Sequence, residues 1–370
     1  MSSLEVRNAL KRYKTDTVVN DVSFEVNSGE TLVLFGPSGA GKTVLLRMIA
    51  GLVELDSGTV LINGEDMTEV EAEHRGVGMA FQNFALFPHM SAFDNIASPL
   101  TATRSTKTAI TAGVDKVARL LKIDHVLNHA PRELSNGQKQ RTALARALAG
   151  SPPILLLDDP LRNVDAKLRF EMRLELPQLL SAQGATVIYV TQDYKEAMAL
   201  GDRIAVIKQG QIEQIGTPAD IYLTPRSVDI ASLFGDPVIN LFDVHGRQDE
   251  HGVFVELSSQ RLPLAAHQNG CVGKDAILGI RPESLRFVDE STSGAIQLTI
   301  EAETPLNEKV VTLALTERGR EVLVSRPAGT CAPSTGVAYV TVDASALLVF
   351  DKVTSRLLDS TNTTQQEVAA

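Results

Sequence analysis

The chain has 370 residues, 44% of them hydrophobic, and a net charge of −10. That length allows two or three domains with a sizeable core, and the acidic balance argues against nucleic acid as a partner. No uncharged apolar window approaches the roughly 18 residues a membrane helix needs, so the chain is not expected to span a membrane.

The N-terminal MSSLEVRNALKRYK is amphiphilic and strand-like, without the long apolar run of an export signal. Through about residue 235, apolar runs alternate with helical patterns. Strands are expected at 31–35, 78–81, 154–157, 186–190 and 204–207, with helices at 43–49 and 171–180 among them. That alternation predicts an α/β fold with a largely parallel sheet. Residues 88–152 break the rhythm with helical segments such as 114–121, and read as a helical insertion. After Gly235 short alternating runs separated by turn residues appear at 253–257, 276–280, 295–300, 310–315, 321–324 and 338–342. They predict a C-terminal all-β, barrel-like domain over 236–370. Within it RPE (281–283) reads as a turn held by a charged pair, and the polar tail 360–370 as disordered. Cys271 and Cys331 have no metal-type spacing and read as free thiols; His245, His251 and His267 are scattered and read as surface residues.

GPSGAGKT, 36–43, sits between the apolar run TLVLF and a helical pattern. This is the context of a phosphate-binding loop. Gly36, Gly39 and Gly41 let the backbone approach phosphate oxygens without a Cβ, with Pro37, Ser38 and Ala40 completing the loop. Lys42 can reach the β- and γ-phosphates, and Thr43 offers a hydroxyl to Mg²⁺. ILLLDDP, 154–160, then explains itself. A buried strand ending in Asp158 supplies a Mg²⁺ ligand, and Asp159, one residue beyond, can aim at the γ-phosphate and a hydrolytic water.

Further stretches, GMAFQNFALFPHMSAFDNIASPL (78–100), ELSNGQKQRTALARAL (133–148), ILLLDDPLRNVDAKLR (154–169) and VTQDYKEAMALGDRIAVI (190–207), follow in order. Their order and spacing resemble the ATPase subunits of ATP-binding-cassette transporters. LGIRPESLRF (278–287) and ALLVFDKVTSRLL (346–358) resemble the regulatory domain of the maltose-importer type, which drives bacterial sugar and polyol import. The resemblance implies a cassette ATPase domain over 1–235, with the regulatory domain following.

It implies roles residue by residue. Tyr13 matches the aromatic that stacks on adenine, or is an ordinary strand tyrosine. Gln82 matches the glutamine that touches Mg²⁺ or water and senses the membrane subunits. Ser135, Gly137 and Gln138 of LSNGQ match the signature that caps the γ-phosphate held by a second ATPase subunit. Asp165 matches the loop crossing that dimer interface. ATP and Mg²⁺ are the implied ligands. The implied partners are a second ATPase subunit, two transmembrane permease subunits and, indirectly, a solute-binding protein, at the cytoplasmic face of a bacterial inner membrane. FALFPHM, 84–90, reads as a docking surface for a permease subunit or as core.

Three positions depart from the family pattern: Asp159 stands for Glu, Gln192 for His and Asn136 for the first signature Gly. Asp is one methylene shorter than Glu, and a misplacement of about 1 Å can cost on the order of 10²-fold in rate. Gln192 can still position water but brings no positive charge. Asn136 is the mildest change, since Asn tolerates turn conformations. Three states accommodate this catalytic set of Asp159, Gln192 and Gln82. One is a slower but competent ATPase. Another is the weak-site half of a heterodimeric pair. The third is a nucleotide-binding regulatory protein with little hydrolysis of its own.

Overall fold

The computed structural model describes residues 3–258, 260–330 and 332–358, without the side chains of 266 and 267. Cys331, the His267 side chain and the tail 360–370 lie outside the described residues. The chain divides into two units after Pro218.

In the first unit, β1 (Leu4–Tyr13) pairs antiparallel with β2 (Asp16–Val26). Next come β3 (Thr31–Phe35) and α1 (Lys42–Ile49), then β4 (Ser57–Ile62) and β5 (Glu65–Asp66), which complete a sheet of order β2-β1-β4-β5. β6 (Val77–Ala80) leads into α2 (Ala92–Ala102), α3 (Lys107–Leu120) and α4 (Asn136–Ala149). Then follow β7 (Ile154–Asp158), α5 (Ala166–Gln183), β8 (Thr186–Thr191), α6 (Tyr194–Leu200), β9 (Arg203–Lys208) and β10 (Gln211–Gly216). The second sheet has the order β10-β9-β3-β8-β7-β6 and is parallel from β9 through β6; β10 is its antiparallel edge.

Every residue of β3, β7 and β8 is buried, which explains why these strands read as unbroken apolar runs. Leu32, Leu34, Leu156 and Ile188 of the sheet share a core with Leu45, Leu46 and Ile49 of α1 and with Val22 and Val60 of the first sheet. The first sheet is less legible. Bulges shift the register of β1 against β2 between Val6 and Ala9 and again beyond, so β2 lacks a clean alternation of two. No strand interrupts α2, α3 and α4 among the described residues. α3 buries Val114, Val117 and Ala118, and Leu121 at its end is buried too, so three of the apolar positions 114, 117, 120 and 121 that read as helical face the core. α2 starts at a capping box in which Ser91 and Asp94 satisfy each other's backbone N–H.

The second unit adds α7 (Pro218–Leu223), α8 (Val228–Leu233), β11 (Asn240–His245), β12 (Arg247–Asp249), β13 (Gly252–Leu257), β14 (Gln260–Pro263) and β15 (Asp275–Ile280). It continues with β16 (Arg286–Val288), β17 (Ile296–Leu306), β18 (Lys309–Thr316), β19 (Glu321–Pro327), β20 (Gly336–Thr341) and β21 (Leu347–Asp351). These strands form three antiparallel sheets, β11-β15-β21, β12-β13-β14 and β16-β20-β17-β18-β19, around Val255, Leu278, Ala314, Val324 and Val349. Asn240 ties two of them by donating to the carbonyls of Ile280 (3.1 Å) and Leu323 (2.9 Å) and accepting from the Leu323 N–H (2.7 Å).

The composition change at Gly235 falls inside this unit, because α8 is anchored to the β-rich part by Arg281. That side chain is 5% exposed and donates to the carbonyls of Phe234 (2.6 Å) and Tyr222 (2.5 Å), stacking over the Tyr222 ring at 3.6 Å. RPE therefore does not work as a simple charged pair. Arg281 spends its donors on helix-terminal carbonyls, and Glu283 accepts from the Tyr222 hydroxyl. Truncation by Arg281→Ala would strand those buried carbonyls and is expected to cost about 3 kcal/mol. Calorimetry of the full chain checks this; an unchanged melting profile would remove Arg281 from its anchoring role.

Candidate nucleotide-binding site

The phosphate loop joins β3 to α1, and its glycines are required by packing. A Cβ on Gly36 would lie 2.2 Å from the Ile207 carbonyl oxygen, and one on Gly41 would lie 2.4 Å from that of Val18. Gly39 and Gly41 have φ of 80° and 97°, in the left-handed region that glycine adopts freely. No side chain caps the start of α1 and no acidic residue sits in its first turn, so its N-terminal N–H groups remain available to an anion. Lys42 is 5% exposed, and its Nζ donates to the carbonyls of Gly36 and Pro37, each at 2.7 Å. Burial lowers the Lys42 pKa, opposed by the charges of Asp159 and Asp158.

Asp158 closes β7 and is 1% exposed. Its Oδ1 accepts from the Thr43 hydroxyl at 3.0 Å, while its buried Oδ2 has no hydrogen-bond partner. An unpartnered buried carboxylate oxygen beside a hydroxyl fits a hard cation. Burial raises the Asp158 pKa; the Thr43 hydrogen bond, Arg47 and Lys42 pull it down. Asp159 follows with φ of 50°, a left-handed conformation that turns the chain sharply out of the strand. Its N–H donates to the Val190 carbonyl at 2.9 Å, holding it against β8. Burial also raises the Asp159 pKa, with Arg162 opposing and Asp158 adding to the rise.

Ser38, Gly39, Ala40, Gly41, Lys42 and Thr43 line one cleft of about 180 Å³ together with Gln82, Asp158, Asp159 and Gln192. The parallel sheet explains the convergence. β3 delivers the phosphate loop, β6 leads to Gln82, β7 ends at Asp158 and β8 leads to Gln192, all at one edge. Tyr13 does not line this cleft; it is 46% exposed, with Lys11 Nζ 5.7 Å from its ring centroid. Ser135, Gly137, Gln138 and Asp165 do not line it either. Ser135 and Gln138 form a capping box at the start of α4, and Asp165 caps α5 by accepting from the Leu168 N–H at 3.0 Å.

Several residues around the cleft carry no recognisable sequence signal. Gln140, 2% exposed on α4, donates to the Asp159 carbonyl (3.3 Å) and accepts from Asn163 (3.0 Å). Arg169 on α5 donates to the carbonyls of Arg162 (3.2 Å) and Val164 (3.0 Å), and stands 3.7 Å from Asp193. Asn95, fully buried on α2, holds the segment after Gln82 by hydrogen bonds to Phe87, Met90 and Ser91. In that segment Phe87 is 43% exposed, with the Arg146 guanidinium 5.4 Å from its ring. Arg162 lines the cleft itself; its place in the turn after Asp159 was the available clue.

These features define a nucleotide-binding cassette of the phosphate-loop class. Comparison with known proteins agrees. Residues 19–162 match the ABC transporter family model and residues 235–285 match the MalK OB fold domain. The sn-glycerol-3-phosphate import ATP-binding protein UgpC of Cereibacter sphaeroides is 38% identical over 358 residues, covering 97% of this chain and 100% of that protein. UgpC of Escherichia coli K12 is 42% identical over 296 residues, covering 80% and 83%. The dimeric post-hydrolysis structure of the cassette MJ0796 bound to ADP and Pi superposes with a TM-score of 0.55 at 30% identity, covering 58% of this chain and 98% of that one. The chain belongs to the ABC transporter family of ATPases, as an ATP-binding subunit with a cassette followed by a MalK-type OB-fold domain.

One buried acid behind the cleft sets a pH dependence. Glu196 is 1% exposed and accepts from the hydroxyls of Tyr189 and Thr191, each at 2.9 Å. Burial raises its pKa to about 7 from 4.5. A carboxyl that binds its proton more tightly when folded stabilises the fold fully below the unfolded pKa. That stability is lost as pH rises through about 7. Glu196→Gln keeps an acceptor and removes the ionisation, so it is expected to stabilise the protein at pH 8 by about 1–3 kcal/mol and to have little effect near pH 5. Urea denaturation at the two pH values checks this. An equal shift at both would exclude titration as the cause.

Proposed function

We propose that this subunit energises import of sn-glycerol-3-phosphate or a related carbohydrate- or polyol-like solute. The observation that carries this reading is similarity along the whole chain, second unit included, to a protein named for sn-glycerol-3-phosphate import. In the proposed cycle, ATP lies along the phosphate loop with its polyphosphate on the N–H groups of α1 and Lys42. Thr43, Asp158 and Gln82 would hold Mg²⁺, which when bound neutralises charge on the β- and γ-phosphates. Asp159 and Gln192 orient water for in-line attack on the γ-phosphate.

Ser135, Gly137 and Gln138 act across a dimer, closing over nucleotide held by the second subunit; Asp165 lies in the same interface. What supports this is that none of the four lines the cleft of its own chain. Tyr13, exposed in the isolated chain, stacks on adenine in the proposed complex. The segment after Gln82, with exposed Phe87, receives a permease subunit. Two permeases and a solute-binding protein complete the importer, with this subunit on the cytoplasmic face of a bacterial inner membrane.

Lys42→Ala is expected to weaken ATP binding tenfold or more, since a buried charge-assisted contact is worth roughly 1.5–3 kcal/mol. Chelating divalent cations should stop hydrolysis. Deleting the gene should abolish uptake of labelled sn-glycerol-3-phosphate and spare an unrelated sugar. Undiminished uptake would overturn the assigned solute.

A second reading, the weak-site half of a heterodimer, is favoured by the short Asp159 carboxylate and its ion pair with Arg162 at 3.9 Å. ATPase turnover of this chain alone, against a mixture with a second cassette encoded beside it, separates the two. High turnover by the isolated chain that Asp159→Asn abolishes would discard the asymmetric reading. It would also discard a purely regulatory nucleotide-binding protein.

A further inference from the structure

The cleft contains a cation to which the proposed catalytic cycle gives no contact with nucleotide. Arg162 is fixed through its backbone at both ends. Its N–H donates to the Asp159 carbonyl at 3.3 Å, and its own carbonyl accepts from Arg169 at 3.2 Å. The side chain is 53% exposed and lines the cleft beside Lys42, Thr43, Asp159 and Gln192. One guanidinium nitrogen stands 3.9 Å from Asp159 Oδ2, close enough for an ion pair and too far for a hydrogen bond. Asp159 therefore draws the guanidinium toward the cleft without consuming that nitrogen's donors.

The charge arrangement shows where such a group is needed. The cleft presents two carboxylates, Asp158 and Asp159, where a polyphosphate must enter. Lys42 is the loop cation, and Gln192 brings no charge at the end of β8. An arginine offers a planar fork of donors matched to phosphate oxygens and stays charged at any working pH.

We infer that Arg162 contacts the terminal phosphate of bound ATP from within the same chain, supplying the positive charge that Gln192 lacks. On nucleotide entry its guanidinium exchanges the long ion pair with Asp159 for hydrogen bonds to γ-phosphate oxygens. Asp159 is thereby released to hydrogen-bond water. ADP has no γ-phosphate and gains nothing from this exchange. The inference rests on ATP occupying the cleft as proposed above.

The test is binding of ADP and of the non-hydrolysable β,γ-imido analogue of ATP to the full chain, with divalent cation present. Arg162→Ala is expected to weaken the imido analogue roughly tenfold or more, the scale of a charged hydrogen bond, and to leave ADP affinity unchanged. Arg162→Lys should recover part of the loss. Equal losses for both nucleotides, or none for either, would overturn the inference. Arg162→Gln, a shorter neutral side chain that keeps some polar volume, provides the same contrast should the alanine variant fail to fold. Lys42→Ala serves as the control for the cleft. If it retains full affinity for both nucleotides, the placement of ATP is wrong, whatever Arg162 does.

Discussion

Parallel pairing of β3 with β8 and of β8 with β7 is the constraint on which the site depends. Phe35 lies opposite Thr191, and Asp158 opposite Val190, so the phosphate loop, the buried aspartate and the residue after β8 emerge at one edge. All three strands are buried throughout, so a slip in register would have to repack side chains on both faces of the sheet. A shift of one residue would carry Asp158 about 3.3 Å along the strand, beyond hydrogen-bond reach of Thr43. The chemistry of the cleft is therefore positioned by backbone hydrogen bonds that never touch a ligand.

Collecting charge at that edge requires compensation. Asp158, Asp159 and Lys42 are all nearly buried, and burial disfavours the charged form of each. Lys42 is compensated by two carbonyls of the loop it serves, and one oxygen of Asp158 by Thr43. The other Asp158 oxygen remains unpartnered. Such a cleft suits the ATP that this family binds, and the unpartnered Asp158 oxygen is where the proposed cation would sit.

A second device ties the cleft to α4. Gln140 reaches from α4 to the Asp159 carbonyl and Asn163, while Arg169 reaches from α5 to the same loop and to Asp193 beyond Gln192. The loop from Asp159 to Asp165 is thus held from both sides by buried or half-buried side chains. Through it, the helix capped by Ser135 and Gln138 is mechanically continuous with the end of β8. Gln140 thus joins α4 directly to the Asp159 carbonyl through one hydrogen bond.

Much of the cassette was legible in order. Unbroken apolar strands, a glycine loop before a helix and a strand ending in carboxylates are local patterns, set by sterics and burial over a few residues. β3, β7, β8 and α1 fall close to where those patterns put them. The bulged β2, the membership of α8 in the second unit and the use of Arg281 were not legible, because each depends on contacts with residues far along the chain. The same holds for Gln140, Arg169 and Glu196, ordinary polar residues until the sheet brings their partners near. The sequence by itself determined the phosphate loop, the acid pair and the strand–helix rhythm, since those follow from residue type and short spacing. Only the tertiary structure decided which of the remaining charges face the cleft, because parallel strands meet through crossovers whose length and route leave no local mark in the chain.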